Sequence, residues 1–152
     1  MSKRKPAAES AALAQQVVVS FFRIASALER LFAAVVATEG LTLSQFNVLR
    51  ILKGAMPETL SAGEIRRRMI HATPGITRLL DGLEAQGLVR RVRATDDRRV
   101  LRCAITANGL AALNRLALPV LQADRRVTHK LSARDLRLLS SLHGLVEEGV
   151  NG

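Results

Sequence analysis

The chain has 152 residues, with 23 Lys+Arg against 13 Asp+Glu and a formal net charge of +10. That length suits one domain with a real core, and 48% hydrophobic content excludes a disordered basic tail. The charge points to a polyanionic partner, nucleic acid ahead of an anionic membrane surface. With 3% aromatics and neither Trp nor Tyr, the chain lacks the platforms that recognition of unpaired bases requires.

A single Cys excludes an internal disulfide framework and a Cys-based zinc cage. His71, His129 and His143 have no carboxylate or His partner at metal spacing, so no cofactor is expected. No stretch of 18 apolar residues runs uninterrupted, and no membrane partner is expected. Residues 1–10, opening Met-Ser-Lys-Arg-Lys-Pro, read as a disordered basic arm on a cytoplasmic, nucleoid-associated protein, and residues 11–152 as a single domain.

From Ala11 to Thr38 the pattern is helical. Val17, Phe21, Ile24, Leu28, Leu31 and Val35 form a heptad seam, which Val18, Phe22, Ala25 and Phe32 widen. Such a helix exceeds what a small core needs, which implies packing on a second chain. Thr42 with Gln45 makes a capping box for a short helix carrying Phe46, Val48, Leu49 and Leu52, stopped at Gly54. After the Met56-Pro57-Glu58 loop, Ser61 with Glu64 opens a helix to about Met69. A turn at Ile70-His71-Ala72 follows, and Thr73-Pro74 reads as N-cap and first helical residue. Ile76, Leu79, Leu80 and Leu83 are the buried stripe of that helix, and Gly87 is its stop.

Residues 88–93 and 99–105 then approach alternation around an Ala94-Thr-Asp-Asp97 turn, the pattern of a β-hairpin. Thr106 restarts a helix toward Lys130, which Pro119 should kink. Ser132 with Asp135 caps a last helix bearing Leu136, Leu139, Leu142, Leu145 and Val146. The fold class is therefore mainly α with a small β-hairpin wing: a winged helix-turn-helix lobe (42–105) between long terminal helices (11–38 and 107–149).

This order has a direct chemistry. A helix N-terminus aimed into a major groove presents free N–H groups and a positive dipole end to phosphate. Small residues there (Thr73, Gly75, Thr77) let the backbone approach base edges, and Arg78 can reach a guanine or a phosphate. The hairpin tip brings Arg98 and Arg99 to the same duplex, where an Arg can enter a minor groove. Residues 61–102 hold ten Arg against five acids, a net of +5. No nucleophile–base pair, glycine-rich phosphate loop or carboxylate pair outside the wing turn supports an enzyme.

The stretches TPGITRLLDGLEAQGLVRR (73–91), DDRR (96–99) and ITANG (105–109) carry a resemblance to the MarR family of bacterial transcriptional regulators, over roughly residues 41–113. The resemblance implies a homodimer built from the terminal helices and a pseudo-palindromic double-stranded DNA operator. It also implies repression released by a small phenolic or other lipophilic effector bound between the two lobes. By position, Thr73, Pro74, Gly75, Thr77 and Arg78 would face DNA, Asp97 would brace a wing arginine, with Arg98 or Arg99 in the minor groove, and Ser61 would cap the preceding helix near the DNA backbone. Gly82 stands where the family commonly has Arg. The alternative reading is a non-specific architectural or RNA-binding winged helix, in which the charge acts without readout. A third is a winged helix turned protein-docking module.

Overall fold

The computed structural model describes residues 5–71, 75–93 and 101–151. In chain order the elements are α1 (Lys5–Ala37), α2 (Leu43–Ala55), β1 (Leu60–Ser61), α3 (Ala62–Arg68), α4 (Ile76–Ala85), β2 (Val89–Arg93), β3 (Leu101–Ile105), α5 (Ala107–Thr128) and α6 (Ala133–Asn151). The strands form an antiparallel three-stranded sheet in the order β1-β3-β2. Only the β2–β3 hairpin is legible in the sequence. The third strand pairs Leu60 with Cys103 and Ser61 with Arg102, and two residues are too few to show alternation.

The core gathers one face from each element. Val48, Leu49 and Leu52 of α2 meet Ile65 of α3, Leu80 and Leu83 of α4, Val89 and Cys103 of the sheet, and Leu113 and Leu116 of α5. All are nearly inaccessible to water, so each contributes about 1.5–3 kcal/mol of burial as an upper bound.

The ends of these helices are closed by hydrogen bonds that the sequence specifies. Thr42 and Gln45 form the expected box: the Gln45 N–H donates to Thr42 Oγ1 at 3.2 Å, and the Thr42 N–H to Gln45 Oε1 at 2.9 Å. At the far end of α4 the Gly87 N–H reaches the Glu84 carbonyl and the Leu88 N–H reaches the Leu83 carbonyl, a Schellman turn. It needs the left-handed φ of +69° that glycine adopts without strain. Thr106 then joins three elements. Its hydroxyl donates to the Gly87 carbonyl at 2.7 Å and accepts from the Gly109 N–H at 3.1 Å, capping α5 while closing the turn after α4. Its own N–H donates to the Leu88 carbonyl.

Several expectations are corrected. α1 begins at Lys5, so most of the segment expected as a disordered arm is helical, and residues 1–4 lie outside the described residues. Ser10–Ala37 is long and apolar enough, by length and composition, to cross a membrane. An uninterrupted-run criterion misses it because scattered Ser, Gln and single charges break the run without making the helix polar. At its C-terminal end α1 packs on α5 and α2, with Val36 fully buried. α5 ends at Thr128, with Pro119 inside it. The terminal helices differ from the lobe in what they leave bare. Phe22 of α1 and Leu139 and Leu145 of α6 are more than half exposed.

Candidate nucleic-acid interface

α4 is amphipathic by design of its sequence. Ile76, Leu79, Leu80 and Leu83 fall at i, i+3, i+4 and i+7 and turn inward. The same spacing leaves Thr77 and Arg78, in the first turn, exposed. Its N-cap is Gly75, at φ +84°, with no side-chain cap hydrogen bond. The expected start at Thr73-Pro74 is therefore corrected by two residues. Thr73 and Pro74 lie outside the described residues, and the helical backbone begins only after Gly75. The physical reason is the left-handed step at Gly75, which cannot continue a helix begun at Pro74. First-turn N–H groups of a helix whose cap supplies no side-chain acceptor are open to an anion.

Ser61 is half-buried at the N-cap of α3, and its hydroxyl is fully engaged. It donates to Glu64 Oε2 at 2.8 Å and accepts the Glu64 N–H at 3.3 Å, while the Ser61 N–H donates to the same carboxylate at 2.7 Å. The hydrogen bond from the Ser61 backbone, then that from its hydroxyl, holds the Glu64 carboxyl below the usual carboxylate range. Arg66, Arg67 and Arg68 occupy the last turn of α3 and are exposed, where they complement the negative end of the helix. Asp97, Arg98 and Arg99 of the wing tip lie outside the described residues.

A cleft of about 620 Å³ separates the winged lobe from α1 and α5. Its walls are apolar (Leu28, Phe32, Phe46, Ile51, Val120) and its rim carries Glu29, Asn47, Arg50 and His71. Arg50 lies over the Phe46 ring at 5.8 Å. His71 Nε2 stands 3.4 Å from Glu29 Oε1, and the Ile70 N–H donates to Asn47 Oδ1 at 3.0 Å. The segment that follows α3, at Ile70 and His71, is thus tied to both α1 and α2 at the cleft rim. Volume and lining suit a small, mostly apolar molecule with one polar end.

The pattern of the MarR family matches residues 39–100. Among solved structures, a MarR transcription factor from Planctomyces limnophilus is 33% identical, with a TM-score of 0.67, over 86% of this chain and 95% of that one. The chain belongs to the MarR family. A repressor of the homoprotocatechuate degradative operon from Escherichia coli is 28% identical over 73% of this chain and 74% of its own length. A MarR variant from Escherichia coli solved with operator DNA is 22% identical, with a TM-score of 0.76 over 86% of this chain and 93% of that one, which bears on the fold alone. As a MarR-family chain it is a DNA-binding transcriptional regulator and not an enzyme.

Two arginines of the lobe have structural roles that their sequence positions do not signal, since a letter shows only their charge. Arg102, on the second wing strand, donates to the Thr59 carbonyl at 3.0 Å and stands 3.6 Å from Glu64, fastening β3 to the start of α3. Arg91 turns back onto α4 and meets Asp81 and Glu84. Cys103 is buried opposite Arg91 in the ladder, and that burial pushes its thiol pKa up, the reverse of what a reactive thiol needs.

Proposed function

We propose that this MarR-family regulator is a homodimeric, cytoplasmic, nucleoid-associated repressor that reads a pseudo-palindromic operator and is released by a small phenolic or otherwise lipophilic effector. The observation that carries the reading is the first turn of α4. Gly75, Thr77 and Arg78 are exposed on a helix whose opposite face is locked into the core. Thr73 and Pro74 would complete that surface, Ser61 would sit near the phosphates, and Arg98 or Arg99, braced by Asp97, would enter the minor groove.

Surface area supports the dimer. A compact chain of 16.5 kDa exposes about 7,500 Å², whereas this one exposes 11457 Å². The excess is more than one partner's half of an obligate interface needs, and most of the exposed large apolar side chains lie on α1 and α6. The cleft supports the effector, since an occupant would touch Met69, Ile70 and His71, which lead into the recognition helix. The name of the Escherichia coli relative, given for a homoprotocatechuate degradative operon, favours a small aromatic ligand class.

The test is selection from random-sequence duplex DNA at about 150 mM salt. An inverted repeat with half-sites about one helical turn apart supports the reading. A broad, unstructured pool replaces it with the architectural alternative.

A further inference from the structure

Most arginines of the lobe point into solvent, but Arg91 does not. Its side chain is 24% exposed, and it bridges two elements. Nη2 donates to Asp81 Oδ1 at 2.5 Å, Nη1 stands 3.3 Å from Glu84 Oε2, and the Arg91 backbone N–H donates to Glu84 Oε1 at 3.1 Å. Asp81 and Glu84 are three residues apart on α4, so both carboxylates present on one side of the helix. Arg91 is the middle residue of β2, the strand that leads into the wing. One guanidinium fork thereby clamps the recognition helix to the wing.

The charge balance settles what such a group can do. Arg91 with two carboxylates is a cluster of net −1, so it subtracts from the positive surface offered to phosphate instead of adding to it. The hydrogen bond to Asp81, ahead of every other influence on it, stabilises the charged guanidinium. A fork that satisfies two carboxylates in fixed geometry conveys orientation as well as attraction.

We propose that Arg91 is a positioning residue: by clamping Asp81 and Glu84 of α4 to β2 it makes the recognition helix and the wing one rigid body, and so sets the selectivity of the DNA reading proposed above. The inference rests on that reading, and it separates from simple electrostatics by sign. Asp81→Asn with Glu84→Gln removes the clamp while raising the net charge by two. If Arg91 were a phosphate contact, freeing it in this background would tighten binding to every duplex. Under the clamp, affinity for the selected operator falls about tenfold or more, the scale of one lost base contact, while affinity for an unrelated duplex holds or rises.

The experiment titrates the full chain against the selected operator and a scrambled duplex of equal length, for wild type, the double variant and Arg91→Lys, with thermal melts alongside. Arg91→Lys keeps the charge but lacks the fork, and a folded variant should lose operator selectivity in the same direction; it decides the matter if the double variant does not fold. Operator affinity that rises or is unchanged in the double variant, or selectivity that is unchanged in Arg91→Lys, overturns the clamp. A wild-type chain that prefers no duplex overturns the operator reading itself, and the clamp's role in selectivity with it.

Discussion

The apolar stripes of α2, α3 and α4 close on one another within a single chain, whereas those of α1 and α6 stay in solvent over most of their length. In the lobe, α2, α3 and α4 bury Val48, Leu49, Leu52, Ile65, Leu80 and Leu83, and the helix ends are tied by capping boxes, a Schellman turn and Thr106. Along α6 every large apolar residue is exposed, although the helix begins with an equally complete box from Ser132 and Asp135. Local helix signals are therefore as good in the terminal helices as in the lobe. What differs is whether the partner face is part of the same chain, and that makes lobe stability and dimer stability separable quantities.

The hardest way to break the lobe is at Gly109. A Cβ there would stand 2.4 Å from the Leu88 carbonyl oxygen and 2.7 Å from Ile105 Cγ1, so α5 could no longer lie against the sheet. Gly109→Val should cost roughly 3 kcal/mol or more of unfolding free energy, read by urea denaturation. A loss below about 1 kcal/mol would show that the junction yields.

The opposite arm of the comparison is Leu139→Glu with Leu142→Glu on α6. Light scattering should report monomers in place of dimers, with the lobe's helical melt retained. If the dimer persists unchanged, α6 is not part of its interface.

On the proposed DNA surface, Arg98→Ala with Arg99→Ala should weaken operator binding and lower the magnitude of the logarithmic salt slope by about 0.9 for each lost phosphate contact. An unchanged slope removes the wing from the interface.

Gly82 gives a smaller effect of opposite sign. It lies inside α4, and a Cβ would meet only Gln45 Nε2, at 3.9 Å, an ordinary contact. Gly82→Ala should stabilise the lobe by about 1 kcal/mol through helix propensity, measured as a higher melting temperature with operator affinity unchanged.

The weakest effect is acid sensitivity. Glu39 is held below its ordinary value of 4.5 by its hydrogen bond with Arg115, Glu64 by the Ser61 N–H, and Asp135 below 3.8 by the Ser132 hydroxyl. Folded-state values below the unfolded ones mean that these groups stabilise the fold at neutral pH. That contribution is lost as pH falls through the ordinary values toward the lowered ones. Arg115→Gln should therefore lower the melting temperature slightly at pH 7 and converge with wild type in acid. Parallel curves down to pH 3 would contradict the assignment.

The sequence by itself determined the presence of the helices, the caps of α2, α3, α5 and α6, and the inward faces of the lobe, because a 3.6-residue period and a Ser-x-x-Glu box are properties of a few consecutive residues. It also determined that α4 presents Thr77 and Arg78, since the positions of Ile76, Leu79, Leu80 and Leu83 leave them no other side. Only the structure decided where α4 begins, after a left-handed Gly75 that a glycine's letter alone does not announce. It alone decided that Leu60–Ser61 is a strand, that Arg91 and Arg102 fasten elements together, and that His71 reaches Glu29 across the cleft. In each case the partner lies 7 to 43 residues away in the sequence. An arginine's charge is readable from its letter, but whether that charge meets a phosphate or a carboxylate is fixed by what the folded chain brings within reach.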